Sequence, residues 1–186
     1  MSATGCLITQ PFDLSCGKLG QTGGIKPRFW VYNLDDLTTA VDIESTVGIA
    51  ALTFNTYKGL HKYVGPTEGH QAGWELVAAE GGNSAIRHNA IVKLIEASNA
   101  DNTVIKRLLS GSAMGFIFEL NNRKFRIYGA QSGMIRNAGL QNQGVNNAAD
   151  VSSVLTFQGN GEEHLPLYFV NTDYATSLST LIGYEV

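Results

Sequence analysis

The stretch Gly115-Phe116-Ile117-Phe118-Glu119-Leu120-Asn121-Asn122-Arg123-Lys124-Phe125-Arg126-Ile127-Tyr128 decides the fold class. Residues 115–120 read as a strand, and the Asn121-Asn122 pair reads as a turn. Residues 123–128 read as the return strand, in which Phe125 and Ile127 alternate with Lys124, Arg126 and Tyr128. That period of two gives one apolar and one polar face, the mark of an antiparallel strand.

Working toward the N-terminus, Asn99 to Leu109 places Val104, Ile105, Leu108 and Leu109 at helical spacing. Asn99 or Asp101 is expected to cap this helix. Lys106 and Arg107 lie late, where the helix dipole favours cations, and Gly111 ends it. Trp74 to Ala79 and Ile86 to Glu96 read as strands joined by the hairpin turn Glu80-Gly81-Gly82-Asn83-Ser84. Gly59 to Gly73, with four glycines and a proline, reads as a long loop or hairpin tip. Ile43 to Tyr57 reads as one long strand or two short ones. Ile25 to Asn33 is rich in aromatic and β-branched residues and reads as a strand, with Pro27 at an edge or bulge. Residues 1–24 read as an irregular arm.

On the other side, Gly133 to Asn147 is rich in Asn, Gln and Gly and reads as a loop. Val151 to Gln158 reads as a strand, Gly159-Asn160-Gly161 as its turn, and Leu165 to Val170 as the return. Residues 171–186 form a polar, then apolar, segment (Leu178, Leu181, Ile182, Tyr184) expected to dock on the core or on a neighbour. The expected organisation is therefore a mostly-β sandwich or barrel over residues 25–170, with one packing helix at about 99–110 and extended loops or arms.

With 186 residues, 44% of them apolar, the chain can bury a sizeable core. Twenty-one glycines against four prolines suit a chain of many turns and bulges. No run of about 18 apolar residues suggests a membrane span. The start Met1-Ser2-Ala3-Thr4-Gly5 lacks the pattern of a signal peptide, so synthesis in the cytoplasm is expected. Thirteen basic against 16 acidic residues argue against a general grip on nucleic acid. The charges are unevenly spread. Lys106, Arg107, Arg123, Lys124, Arg126 and Arg136 cluster, and after Arg136 only acids follow: Asp150, Glu162, Glu163, Asp173 and Glu185. Such asymmetry suits head-to-tail contact between copies.

Catalytic signatures are missing. The stretch Gly20 to Lys26 is followed by Pro27 and a strand, where a phosphate loop needs Ser or Thr and a helix. Ser132 lacks the flanking glycines of a nucleophile elbow. Cys6 and Cys16 have no paired ligands at zinc spacing, and Asp35-Asp36 reads as a turn. No enzyme activity, cofactor or metal is expected.

The order of elements carries a resemblance. A helix, the hairpin around Asn121-Asn122-Arg123-Lys124, a glycine-rich loop, Val154 to Gly159, the acidic turn Gly161-Glu162-Glu163, and Leu165 to Phe169 follow one another. Val104 to Phe169 thus resembles the C-terminal part of phage tail tube proteins, the major tail proteins. Cys16 with Gly23-Gly24-Ile25-Lys26 is similar to structural proteins of phages infecting Bacteroidetes. The resemblance implies a virion protein whose subunits form rings, usually of six, stacked into a tube. Its partners would be itself and other tail proteins, with DNA met only in passage and no membrane. Another virion component, such as a head–tail connector, tail terminator or decoration protein, has a similar composition. A carbohydrate-binding β-sandwich using Trp30, Trp74 and tyrosines as a platform belongs to a different class. For an assembling subunit the candidate interface residues are Arg123, Lys124, Arg126, Glu162, Glu163, Leu178, Leu181 and Ile182, the basic hairpin meeting the acidic turn of a neighbour.

Overall fold

A computed structural model describes residues 24–42, 48–66, 68–78, 84–95, 98–142, 152–162 and 164–186. Among the described residues nine strands form two antiparallel sheets, with two α-helices, so the chain is a mostly-β sandwich as its sequence pattern indicates. The strands are β1 (Ile25–Asn33), β2 (His61–Val64), β3 (Gln71–Ala78), β4 (Ser84–Ile95), β5 (Met114–Leu120), β6 (Phe125–Tyr128), β7 (Ile135–Asn142), β8 (Ser152–Glu162) and β9 (Leu167–Phe169). Helix α1 is Asn99–Ser110 and α2 is Tyr174–Gly183. One sheet has the order β2-β1-β5-β6-β9 and the other β3-β4-β8-β7.

The five-stranded sheet is covered on both faces, which is why its central strands are nearly continuous apolar runs. On one face Phe29, Val31, Phe116 and Phe118 meet Val92, Leu155 and Phe157 of the second sheet. Phe29, Phe116 and Phe118 line up with ring centroids 5.5 to 6.4 Å apart. Each such pair adds about 0.5–1.5 kcal/mol beyond its buried area. On the other face Trp30, Tyr32, Ile117, Phe125 and Ile127 form a second core, closed by Ile49, Leu52, Leu60 and Leu181. Tyr128, read as facing the polar side of β6, is buried in the first core.

Helix α1 buries Ile105 and Leu108 in the first core and leaves Val104 exposed. Its N-cap is Ser98, one residue before the expected Asn99 and three before Asp101, and the Ser98 Oγ accepts from the Asp101 N–H at 3.3 Å. The β5–β6 turn takes one residue more than Asn121-Asn122, because Arg123 adopts the left-handed backbone (φ 60°) that completes a three-residue loop. Pro27 lies in a bulge of β1, between Ile25 and Phe29, and that strand is internal rather than at an edge.

Five expectations are corrected. Residues 48–57 form no strand: only Ile49 and Phe54 make isolated bridges, and residues 43–47 lie outside the described residues. Their apolar side chains, Ile49 and Leu52, act as pegs over the second core instead. The stretch 59–73 contains β2 and the start of β3, and its Gly65 is required by close approach. A Cβ there would lie 2.3 Å from the Lys93 carbonyl. Much of 133–147 is the edge strand β7, with residues 143–150 outside the described residues. Residues 159–161 are not a turn, because β8 runs on to Glu162 through a bulge. The return segment becomes β9, which pairs with β6 in the opposite sheet. Finally, residues 174–183 are a second helix, capped by Asp173, whose carboxylate accepts from the Thr176 N–H at 2.8 Å. The turn between β3 and β4 and the N-terminal arm lie outside the described residues.

Candidate assembly interface

The residues expected to meet a neighbour divide by burial. Arg123 and Lys124 are exposed at the tip of the β5–β6 hairpin. Arg126 is half-buried, donates to the Tyr168 hydroxyl at 2.8 Å and lies over that ring. Leu178 packs on the second core and Ile182 remains exposed. Glu162 and Leu181 are buried inside the subunit and are withdrawn from the interface. Glu163 lies outside the described residues. The structure therefore does not place a solvent-facing Glu162 opposite the basic hairpin.

Glu162 looks like a turn acid in sequence because glycines precede it. In the fold it is an internal anchor. Its two carboxylate oxygens accept the backbone N–H groups of Gln131 (3.3 Å) and Ser132 (3.0 Å), and one oxygen pairs with His164 Nε2 at 3.1 Å. Burial alone would raise its pKa, but the His164 contact and the Ser132 N–H outweigh it and hold the carboxyl below its usual range. Beside it, fully buried His88 accepts the Gly129 N–H on Nδ1 at 3.0 Å. That leaves Nε2 as the protonated nitrogen, donating to the His164 carbonyl at 3.0 Å. The tautomer follows from this pairing. Burial pushes the His88 pKa down, with the Glu162 charge opposing.

This cluster predicts acid sensitivity. A second proton on His88 goes to Nδ1 and breaks the Gly129 bond. Because the folded pKa of His88 is lowered, its contribution is complete above the unfolded value of about 6.5 and is lost as pH falls below it. The depressed Glu162 carboxyl contributes a further loss at lower pH, with the same sign. The melting temperature should therefore decline from pH 7 to pH 5. His88→Gln, which keeps a donor and an acceptor, should melt lower at pH 7.5 but show a shallower slope, the remainder coming from His70, whose pKa burial also lowers. A parent protein with a flat melting temperature across this range would contradict the assignment.

A second buried carboxylate, Glu119, ties α2 to the sheet. It pairs with Lys26 and Arg28 of β1 and accepts from the Tyr174 hydroxyl at 2.6 Å. Burial opposes ionisation, but these three partners together keep its pKa low. Lys26, part of the glycine-rich stretch that superficially resembles a phosphate loop, is thus engaged in an ion pair. Asp36 likewise binds the Asn33 side chain (2.8 Å) and Lys58 (3.2 Å). Among the described residues no group of three or more His, Cys, Asp or Glu is placed to hold a metal, and no helix is long and apolar enough to cross a membrane. Trp30 is fully buried, so it forms no sugar platform with Trp74.

What sequence reading missed are the two margins of the four-stranded sheet. Strand β3 pairs only with β4 and β7 only with β8, so each presents one unpaired backbone edge among the described residues. Both carry exposed apolar side chains: Trp74 and Leu76 on β3, Ile135 and Leu140 on β7. Natural sheets normally blunt such edges with charge, proline or cover, because open edges pair with other chains. The signal in the sequence was weak, since only the topology shows which strands end a sheet. No family model, curated protein or solved structure matches this chain.

Proposed function

We propose that this chain is a virion structural subunit whose rings stack into a phage tail tube, the conduit for DNA ejection. The observation that carries the reading is the pair of open edges on the four-stranded sheet. An even number of antiparallel strands makes the two edges run in opposite directions. Copies related by rotation then meet β7 to β3 in antiparallel fashion, and a closed ring leaves neither edge of the four-stranded sheet exposed.

The outer face of that sheet suits passage of DNA. It presents Asn89, Thr156 and Gln158, an Arg87–Glu75 ion pair at 3.2 Å, and Lys93. A face with so little net charge displaces few phosphate counterions and therefore does not hold the duplex. The resemblance of Val104 to Phe169 to tail tube proteins supports the same reading, with other tail proteins as further partners.

Negative-stain microscopy of the purified protein tests it. Rings or stacked tubes are expected at high concentration. A single 20.0 kDa species at every concentration, with and without partner virion proteins, would overturn the proposal.

A further inference from the structure

Strands β3 and β7 are each eight residues long. The antiparallel register that overlaps them completely sets Gln71 of one copy against Asn142 of the next and Ala78 against Ile135. In that register Trp74 falls opposite Gly139. The same face of the sheet carries both residues. Trp74 shares its face with His88, next to Ala90, and Gly139 shares its face with Leu155, all of them turned toward the first core.

Trp74 is the protruding partner. Its indole is 47% exposed at the margin of the sheet, where nothing of its own subunit covers it fully. Gly139 borders a cavity of about 450 Å³ between α1 and β7. Leu109 and Leu155 form its apolar walls, and a Cβ added to Gly139 would lie 3.4 Å from Leu155 Cδ2 and 3.9 Å from Leu109 Cδ2. Lys106 and Arg136 stand at its rim, and no acid lines it among the described residues.

We propose that the seam between neighbouring copies is a full-length β3–β7 pairing in which Trp74 of one copy fills the Gly139 cavity of the next. The inference rests on the ring reading above and specifies its register. Three physical effects favour this occupant. An aromatic ring laid across a strand glycine restores the packing that the missing side chain forfeits. The cations at the rim face the negative π-surface of the indole. Glycine in an exposed strand also marks close approach by another group.

Cross-linking decides the question without touching the knob or the cavity. In the same register Gly73 lies opposite Leu140. A Cβ at Gly73 meets nothing within 4 Å, and Leu140 is exposed, so both sites accept cysteine. The full chain would carry Cys6→Ser and Cys16→Ser, with Gly73→Cys and Leu140→Cys. Oxidation of the assembled protein should give a ladder of covalent multimers. Gly73→Cys or Leu140→Cys alone should give none, and an equal mixture of those two single variants should give dimers. Separately, Trp74→Ala should raise the concentration needed for assembly at least about tenfold, as for an aromatic hot spot, while melting like the parent as a monomer. If the parent assembles but the pair does not cross-link and Trp74→Ala assembles at the parent concentration, the seam is wrong and the ring reading stands. If the parent never assembles, both fall.

Discussion

Leu108→Asp is expected to cost about 4–6 kcal/mol of stability and to lower the melting temperature by roughly 10–20 °C. Leu108 sits on the inner face of α1, 3% exposed, against the first core. Two losses combine. The leucine side chain no longer fills its site, and an aspartate there is either a buried unpaired charge or a carboxyl forced to hold its proton. Domains of this size are stabilised by only about 5–15 kcal/mol in total, so the variant approaches unfolding. The control is Val104→Asp, one turn earlier on the same helix and exposed. It should shift stability by no more than about 0.5 kcal/mol. Thermal and urea melts of both variants check the assignment. Equal effects at the two positions would mean that the helix presents a different face to the sheet.

Gly115→Val should be comparably severe, through overcrowding rather than loss of contact. The ring of Tyr32 lies against Gly115, and a Cβ there would sit 2.1 Å from Tyr32 Cζ. Tyr32 is fully buried in the second core and cannot swing into solvent. The backbone must therefore shift across the β1–β5 ladder, where Tyr32 is the direct partner of Gly115. A cost of about 3 kcal/mol follows, the upper end of the usual penalty for overpacking. A double-mutant cycle isolates the cause. Tyr32→Ala alone should be destabilising, but in its presence Gly115→Val should lose at least half of its effect. Additive costs would place the damage elsewhere than at this ring.

The parts of the fold that sequence revealed are those where burial writes a pattern. Strand β1 matched its expected limits because Phe29 to Tyr32 are all buried and leave an unbroken apolar run. Helix α1 showed its spacing because only one side of it meets the core. Strand β7 was illegible for the opposite reason. Its side chains from Ile135 to Leu140 are exposed on both faces, so no alternation marks it, and its Asn, Gln and Gly content resembles a loop. Helix α2 did leave a signal, an Asp173 cap followed by Leu178, Leu181 and Ile182 at helical spacing, but its serines and threonines diluted it. Those hydroxyls are satisfied within the helix region, Ser177 by the Asp173 carbonyl and Thr180 by the Thr176 carbonyl.

The candidate site was harder to read because it is a property of topology. Nothing local to Gln71–Ala78 or Ile135–Asn142 says that these strands end a sheet. The order β3-β4-β8-β7 brings together segments far apart in the chain. Glu162 misled for a related reason. Its partners, the Gln131 and Ser132 amides, lie about 30 residues away, and only tertiary packing turns a surface-like acid into a buried anchor.

The internal place of β1 has a consequence for biosynthesis. Its partner β5 begins at Met114, about 80 residues after β1 ends at Asn33. Strand β2 follows sooner and can cover one edge of β1, but at roughly 5–20 residues per second the other edge of Phe29-Trp30-Val31-Tyr32 waits on the order of 4–16 s on the ribosome before β5 exists. During that interval it is a short, β-prone, uncharged segment of the kind that aggregates. Lys26 and Arg28 stand directly before it. In the nascent chain these cations act as gatekeepers that repel like segments, and once Glu119 arrives the same two charges become its ion-pair partners. One pair of residues thus serves first as protection against misassociation and then as a latch of the finished fold.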